Sequence, residues 1–494
     1  MFKSIGKKIN AFLNSGKDYP VLMALVAGIY PLLFYYSNNY PAINSATHLL
    51  VFTIASVIVP LIITLIGYAV FRAVPKLRPY ISHLLFALLI TIVVTLLSVF
   101  IVLELKKKMC LLVFFAAALI SLKLHNYYKH LILVVCAMAI MPLCKCAVSL
   151  YEDITGSGWT QQPDAITAAK FKHKPNVYMI QPDGYTGKEM MQKPPYSYND
   201  SSFYNWLGSN NFTVYKNFKS NYPASLTSNA SMFAMKHHYF NDVVSPSIDM
   251  PHARAVIMDN DAVRTFKNNG YETFFIAQDE YFQQNRSKTG YDHTNISPDS
   301  IPLLTAGHKV VRNVDADLQA AIAVKTTAPK FIFIEKLLPH HVHFSAKANR
   351  VATERKEYLE KSKKSAEWLK TTVALINAKD PDALIIILSD HGGWVGMKDD
   401  NEFYTTTKPE LINSTFRNMA AIHWGGIKPE GYDATLKSSV NVFRVLFACL
   451  SEDAAYLKNL EDNSSYNIRN DNAYFSAVYQ LIDGNDKIVH KKHE

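Results

Sequence analysis

The stretch Ala383-Leu-Ile-Ile-Ile-Leu-Ser-Asp-His-Gly-Gly-Trp394 carries a run of apolar, largely β-branched residues into a glycine turn, with Asp390 and His391 at the junction. An unbroken apolar run of this length reads as a strand buried on both faces, because such a strand has no polar side to present. Parallel α/β sheets place their chemistry at the carboxyl ends of their strands, where an adjacent carboxylate and imidazole make a ligand pair for a divalent cation. The same dipeptide also serves as a plain turn, with the histidine capping a carbonyl. Its meaning therefore depends on what else converges with it.

Working outward, Asn176-Val-Tyr-Met-Ile-Gln-Pro-Asp-Gly184 is a second short strand running into Asp-Gly. Further strands are expected at 273–277, 331–335 and 419–423, separated by helical stretches near 187–192, 202–208, 262–268, 350–378 and 440–449. Alternation of strands and helices predicts a largely parallel sheet covered on both faces. The charged part of 350–368 fits the solvated face of an amphipathic helix.

The first 150 residues have a different character. Apolar runs at 19–36, 49–71, 81–103, 109–122 and 131–148 predict a transmembrane bundle of about five helices, although 109–122 falls short of the ~20 residues that cross a bilayer. The first run follows Lys3, Lys7, Lys8 and Lys17 and lacks a small-residue cleavage site, so it is expected to remain as a span. Residues 151–174 read as a juxtamembrane linker and 175–494 as a soluble domain.

Basic residues flanking the spans set the orientation. The N-terminal lysines, Arg72, Lys76 and Arg78 fall on one side, joined by Lys123 and Lys129 if there are five spans. That side is cytoplasmic, which puts the domain after Leu150 outside. Lys106, Lys107 and Lys108 lie on the opposite side in this count. A re-entrant fourth segment, lysines snorkelling to external headgroups, or four spans with a cytoplasmic domain would each accommodate them.

The chain has 494 residues, with Lys+Arg 51 against Asp+Glu 41, a net +10 that the membrane-flanking residues account for. No basic and aromatic cluster lies along one face, so nucleic acid is not an expected partner. Of the 5 cysteines, only Cys449 falls outside the apolar first part, which leaves the soluble domain without an internal disulfide.

Four features can converge on one site. Asp183 follows the first strand. Ser225 lies in Lys219-Ser-Asn-Tyr-Pro-Ala-Ser-Leu-Thr-Ser, where Pro223 and small polar residues suggest a turn entering a helix. His340 stands in Leu338-Pro-His-His-Val-His343 after the 331–335 strand, and Asp390 with His391 completes the set. Two carboxylates, an imidazole and a hydroxyl suit one divalent cation, zinc or manganese. Such an ion lowers the hydroxyl's pKa, and a helix N-terminus favours an incoming phosphate. Each residue also has a structural alternative: Asp-Gly is a common turn, serine a common helix cap, and three histidines in four positions a surface cluster.

These motifs, in this order behind a membrane bundle, resemble membrane-bound members of the alkaline phosphatase and sulfatase superfamily. The branch is that of phosphoethanolamine transferases, lipoteichoic acid synthases and phosphoglycerol transferases. Besides the strands ending at Asp183 and Asp390, the resemblance rests on Ser220-Asn-Tyr-Pro, Leu338-Pro-His340, Arg417-Asn-Met-Ala420 and Ser439-Val-Asn-Val-Phe-Arg444. It implies an α/β sulfatase/alkaline-phosphatase-like domain on the extracytoplasmic side of a bacterial inner membrane. Asp183, Asp390 and His391 would be metal ligands, and Ser225 the nucleophile and fourth ligand, where relatives usually have threonine. Thr227 and Ser228 are fallback nucleophiles. His340 would bind or protonate the transferred group, with His341, His343 and His423 as auxiliary ligands. Relatives with a second zinc often carry a histidine a dozen residues beyond the Asp-His pair; Phe403 lies there instead, so one metal is expected.

True sulfatases of the superfamily need Cys/Ser-x-Pro-x-Arg, which Ser220-Asn-Tyr-Pro-Ala-Ser225 does not supply. A plain hydroxyl nucleophile fits phosphoryl exchange through a covalent serine intermediate. The expected donor is a membrane phospholipid and the acceptor a cell-envelope glycan or lipid. A phosphodiesterase or phosphatase using water, and a non-catalytic envelope protein with a degenerate site, are the alternatives.

Overall fold

The structure, a computed structural model, describes residues 2–241, 247, 249–344, 349–470 and 475–493. It divides into two compact units. The first runs to Gly156 and takes in Gln284–Arg286 and Pro302–Ala306; the second holds the remainder.

Among the described residues, four helical stretches are long and apolar enough to cross a membrane: Pro20–Ile43, Ala46–Ala73, Arg78–Val102 and Lys107–Thr160. The last of these contains two helices, Lys107–Leu124 and Tyr128–Thr155, joined by a tight turn at His125–Tyr127, and the expected segments 109–122 and 131–148 fall on them. A π-helical turn at Ile54–Ile58 precedes Pro60, whose ring nitrogen cannot donate to the turn before it. Gly28 lets two of these helices meet, since a Cβ there would lie 1.9 Å from the Ser56 carbonyl oxygen. Met23, Leu85, Leu89 and Ile132 pack inside the bundle. Leu112, Leu119 and Met141 are 69%, 69% and 73% exposed, as side chains facing lipid would be.

The second unit is built on a seven-stranded sheet in the order β2-β7-β6-β1-β5-β3-β4. Its strands are β1 (Val177–Pro182), β2 (Thr213–Val214), β3 (Glu272–Ala277), β4 (His293–Thr294), β5 (Lys330–Lys336), β6 (Leu384–Leu388) and β7 (Ala420–His423). Strands β6, β1, β5, β3 and β4 run parallel. The expected strand at 419–423 is β7, but it pairs antiparallel with β6, and β2 pairs antiparallel with it at the edge.

The pleat explains the apolar runs. Val177, Met179, Phe331, Phe333, Leu384 and Ile386 enter one core with the helices Ser225–Ala234 and Val442–Ser451. Tyr178, Ile180, Ile332, Ile334, Ile385 and Ile387 enter the opposite core with the helix Arg350–Lys379. Successive residues of each strand thus bury on alternate faces.

Two parts were not anticipated. Residues 166, 169 and 171 of the expected linker are buried in the first of these cores, and the Lys172 N–H donates to the Leu450 carbonyl. A separate antiparallel sheet, β8 (Ser465–Asn470), β9 (Ser476–Ile482) and β10 (Ile488–Lys492), closes the chain.

Candidate functional site

Parallel pairing brings the carboxyl ends of β1, β5 and β6 side by side, and each carries part of the site. Asp183 is the residue after β1; its N–H donates to the Lys336 carbonyl at the end of β5. Beyond β6, Ser389 turns its hydroxyl back to the His391 carbonyl at 2.8 Å and accepts from Tyr185 N–H at 2.7 Å. The turn stays tight because Gly393 has no Cβ: one would lie 2.3 Å from the Tyr358 ring.

Asp390 Oδ1 accepts from the Gly184 and His391 N–H groups, both at 3.0 Å. Its Oδ2 is buried without a hydrogen-bond partner. His391 Nδ1 lies 2.7 Å from the Gly392 carbonyl oxygen, which can only accept. The proton is therefore on Nδ1, and Nε2 presents a lone pair. That lone pair lies 3.4 Å from Asp390 Oδ2 and 3.5 Å from Asp183 Oδ1.

Ser225 begins the helix Ser225–Ala234, whose N-cap is Ala224. The serine is thus not spent as a cap. Its hydroxyl lies 3.3 Å from Asp183 Oδ1 and 3.3 Å from His391 Nε2. The segment before it is held extended by side-chain and backbone bonds. Ser220 N–H donates to Phe416, Asn221 Nδ2 donates to Ser464 and Tyr466 N–H donates to Asn221. Thr227 and Ser228 point elsewhere, to the carbonyls of Ala224 and Asp390. The first-turn N–H groups of this helix have no intrahelical acceptor and favour an anion.

Electrostatics fit a cation. Burial, then the neighbouring Asp390 and Glu335 carboxylates, pushes the Asp183 carboxyl well above its ordinary value. Two buried carboxylates sharing one point with a lone-pair nitrogen and an orphaned oxygen call for a positive charge among them. Asp183, Asp390 and His391 can each offer one ligand atom, all within 4.8 Å of one another, and the Ser225 hydroxyl lies beside them.

The Nε2 of His340 lies 3.7 Å from Asp183 Oδ2, and burial lowers this imidazole's pKa to about 4. His341 stacks on Trp394 at 3.8 Å between ring centroids, and His343 lies beside His340 at 4.6 Å. His423 is not part of the site. Its Nδ1 donates to the Ala383 carbonyl at the far end of β6. Phe403 packs on Trp394 at 4.6 Å.

Three contributors escaped the sequence reading. Glu335, at the end of β5 and in register with Gln181, is buried, and desolvation followed by Asp279 raises its carboxyl well above the ordinary range. Trp394, in the left-handed region at φ 60°, donates its indole N–H to the Pro223 carbonyl at 3.1 Å and so ties the β6 turn to the Ser225 segment. Tyr358 donates to the Gly184 carbonyl at 2.8 Å and accepts from Thr186 N–H at 3.1 Å. Glu335 had a readable signal, an acid closing an apolar strand.

No family model and no curated protein matches the chain. The chain is similar to solved bacterial phosphoethanolamine transferases. The integral membrane lipooligosaccharide phosphoethanolamine transferase A from Neisseria meningitidis matches at 12% identity over 87% of this chain and 95% of its own, with a TM-score of 0.41. The C-terminal periplasmic domain of EcEptC from Escherichia coli, in complex with Zn, matches at 12% identity over 64% of this chain and 96% of its own, TM-score 0.42. Ps i-CgsB in complex with k-i-k-neocarrahexaose also matches, at 17% identity over 63% and 83%, TM-score 0.40.

Proposed function

We propose that this chain is a metal-dependent transferase that moves phosphoethanolamine or phosphoglycerol from a membrane phospholipid to a cell-envelope glycan or lipid, by way of a covalent intermediate on Ser225. It would act outside the cytoplasmic membrane of a bacterium, held there by its own apolar helices. The observation that carries the reading is the Ser225 hydroxyl standing 3.3 Å from both Asp183 and His391 while leaving its helix uncapped.

Asp183, Ser225, Asp390 and His391 would hold one divalent cation, zinc or manganese. When bound, the cation lowers the pKa of the serine hydroxyl and offsets phosphate charge. Ser225 Oγ attacks the donor phosphorus, and the bond from phosphorus to the diacylglycerol oxygen breaks. An acceptor hydroxyl then attacks the same phosphorus and releases the serine. His340 faces the transferred group from the β5 side, and the helix N-terminus at Ser225 receives its oxygens.

Mass spectrometry of envelope lipids and glycans from cells carrying the unmutated chain or Ser225→Ala tests this. A phospho-substituent present only with the unmutated chain is expected. Identical profiles, together with turnover of a soluble phosphodiester, would replace transfer with hydrolysis.

A further inference from the structure

We propose that His340, His341 and His343 form a second divalent-cation site, adjoining the one at Asp183, Asp390 and His391 but with its own ligands. The inference goes beyond the transfer reading and stands without it. Each of the three imidazoles can offer a ring nitrogen, and these atoms lie within 4.8 Å of one another. A tetrahedral zinc with bonds of ~2.0–2.1 Å brings its ligand nitrogens to about 3.3 Å. His343, the exposed member, is the ring that would have to turn to close that gap.

Two of the rings are already set for ligation. His340 Nδ1 lies 3.1 Å from the His341 carbonyl, and His341 Nδ1 lies 2.8 Å from the Val342 carbonyl. A carbonyl only accepts, so in both rings Nδ1 holds the proton and Nε2 is left with its lone pair. The loop is pinned as well: His340 N–H donates to Asp183 and Val342 N–H to Gly393, while His340 sits at φ 64° in the left-handed region. Such backbone strain gathers where a side chain is held for a task.

The three rings open into a cavity of about 110 Å³ lined also by Arg350, Glu354, Tyr358 and Lys361, which leaves room for an ion and further oxygen ligands. Arg350 is paired with Glu354 at 3.6 Å, so its charge is partly offset toward the cluster. Three imidazole nitrogens select zinc over magnesium or calcium, while the Glu354 and Glu357 carboxylates that also line the cavity balance the Arg350 and Lys361 charges there.

Zinc titration of the full chain in detergent provides the test. With the first site disabled by Asp183→Asn and Asp390→Asn, one zinc per chain is expected at micromolar concentration, counted by calorimetry and elemental analysis. Adding His343→Ala should abolish it, and His343→Gln should do the same if the alanine variant does not fold. Cobalt should give visible absorption in the first variant and not in the second. No zinc in the first variant, or equal zinc in both, overturns the proposal. Failure of the transfer reading would instead appear as an unchanged lipid and glycan profile with these zinc counts intact.

Discussion

The hydroxyl of Ser225 and Nε2 of His391, 166 positions apart in sequence, lie 3.3 Å from each other at the carboxyl edge of the sheet. His391 directs a lone pair at that point because its other nitrogen is committed to the Gly392 carbonyl. Ser225→Ala removes the only hydroxyl among Ser225, Thr227 and Ser228 that reaches the point. It should cut phosphotransfer by at least about 10³-fold. Ser225→Thr keeps the hydroxyl and should stay within about tenfold of the unmutated rate. Turnover of a labelled phospholipid donor distinguishes the two.

Asp390→Asn should reverse the order of stabilities with and without metal. Asn Oδ1 can still accept from Gly184 and His391, so the turn survives. The repulsion that helps raise the Asp183 carboxyl above its ordinary value is removed, and the metal-free variant should melt at or above the metal-free parent. The parent should gain stability on adding zinc, by linkage, whereas the variant should lose affinity by more than about 100-fold and gain little. Thermal unfolding with chelator and with zinc reads both signs.

The parts of the fold legible in the sequence were those written as apolar runs. β1, β5 and β6 are buried on both faces, so composition alone identifies them, and Asp183 and Asp390 follow because they end such runs. The strand β7 was legible but its direction was not, since an apolar run reads the same either way and the pairing Ile386↔Ile422 is fixed by the connection. β8 to β10 mix polar and apolar residues, as in Ser465-Tyr-Asn-Ile-Arg469, and gave no clear run. Ser225 was legible only through the motif around it, because its value depends on Ala224 taking the cap. Trp394 acts through a left-handed backbone that no pattern of residue types encodes.

Tyr358→Phe should destabilise the catalytic unit without emptying its core. The ring remains packed between Gly393 and Tyr196, whose centroid is 5.4 Å away. What is lost is the hydroxyl that donates to the Gly184 carbonyl and accepts from Thr186 N–H, which leaves buried polar groups short of a partner. A cost of about 1–3 kcal/mol is expected, measured by chemical denaturation. The Asp183-Gly184 turn is the element released, so zinc affinity at the first site should also fall.

His238 makes stability depend on pH in the acid range. Its Nε2–H donates to the Thr227 carbonyl at 3.2 Å, and its Nδ1 accepts from Phe240 N–H at 2.9 Å, a pairing only the neutral ring can make. Burial, then the neighbouring His237, lowers its pKa from 6.5 to about 3. The folded pKa lies below the unfolded one, so the contribution is complete above about pH 6.5 and is lost progressively as the pH falls towards 3. His238→Gln cannot gain a proton, and its amide can supply one donor and one acceptor at the same place. The difference in unfolding free energy between the parent and His238→Gln should therefore favour the parent most above pH 6.5 and shrink or change sign by pH 4. A difference that stays constant from pH 7 to pH 4 would remove His238 as the cause of acid sensitivity.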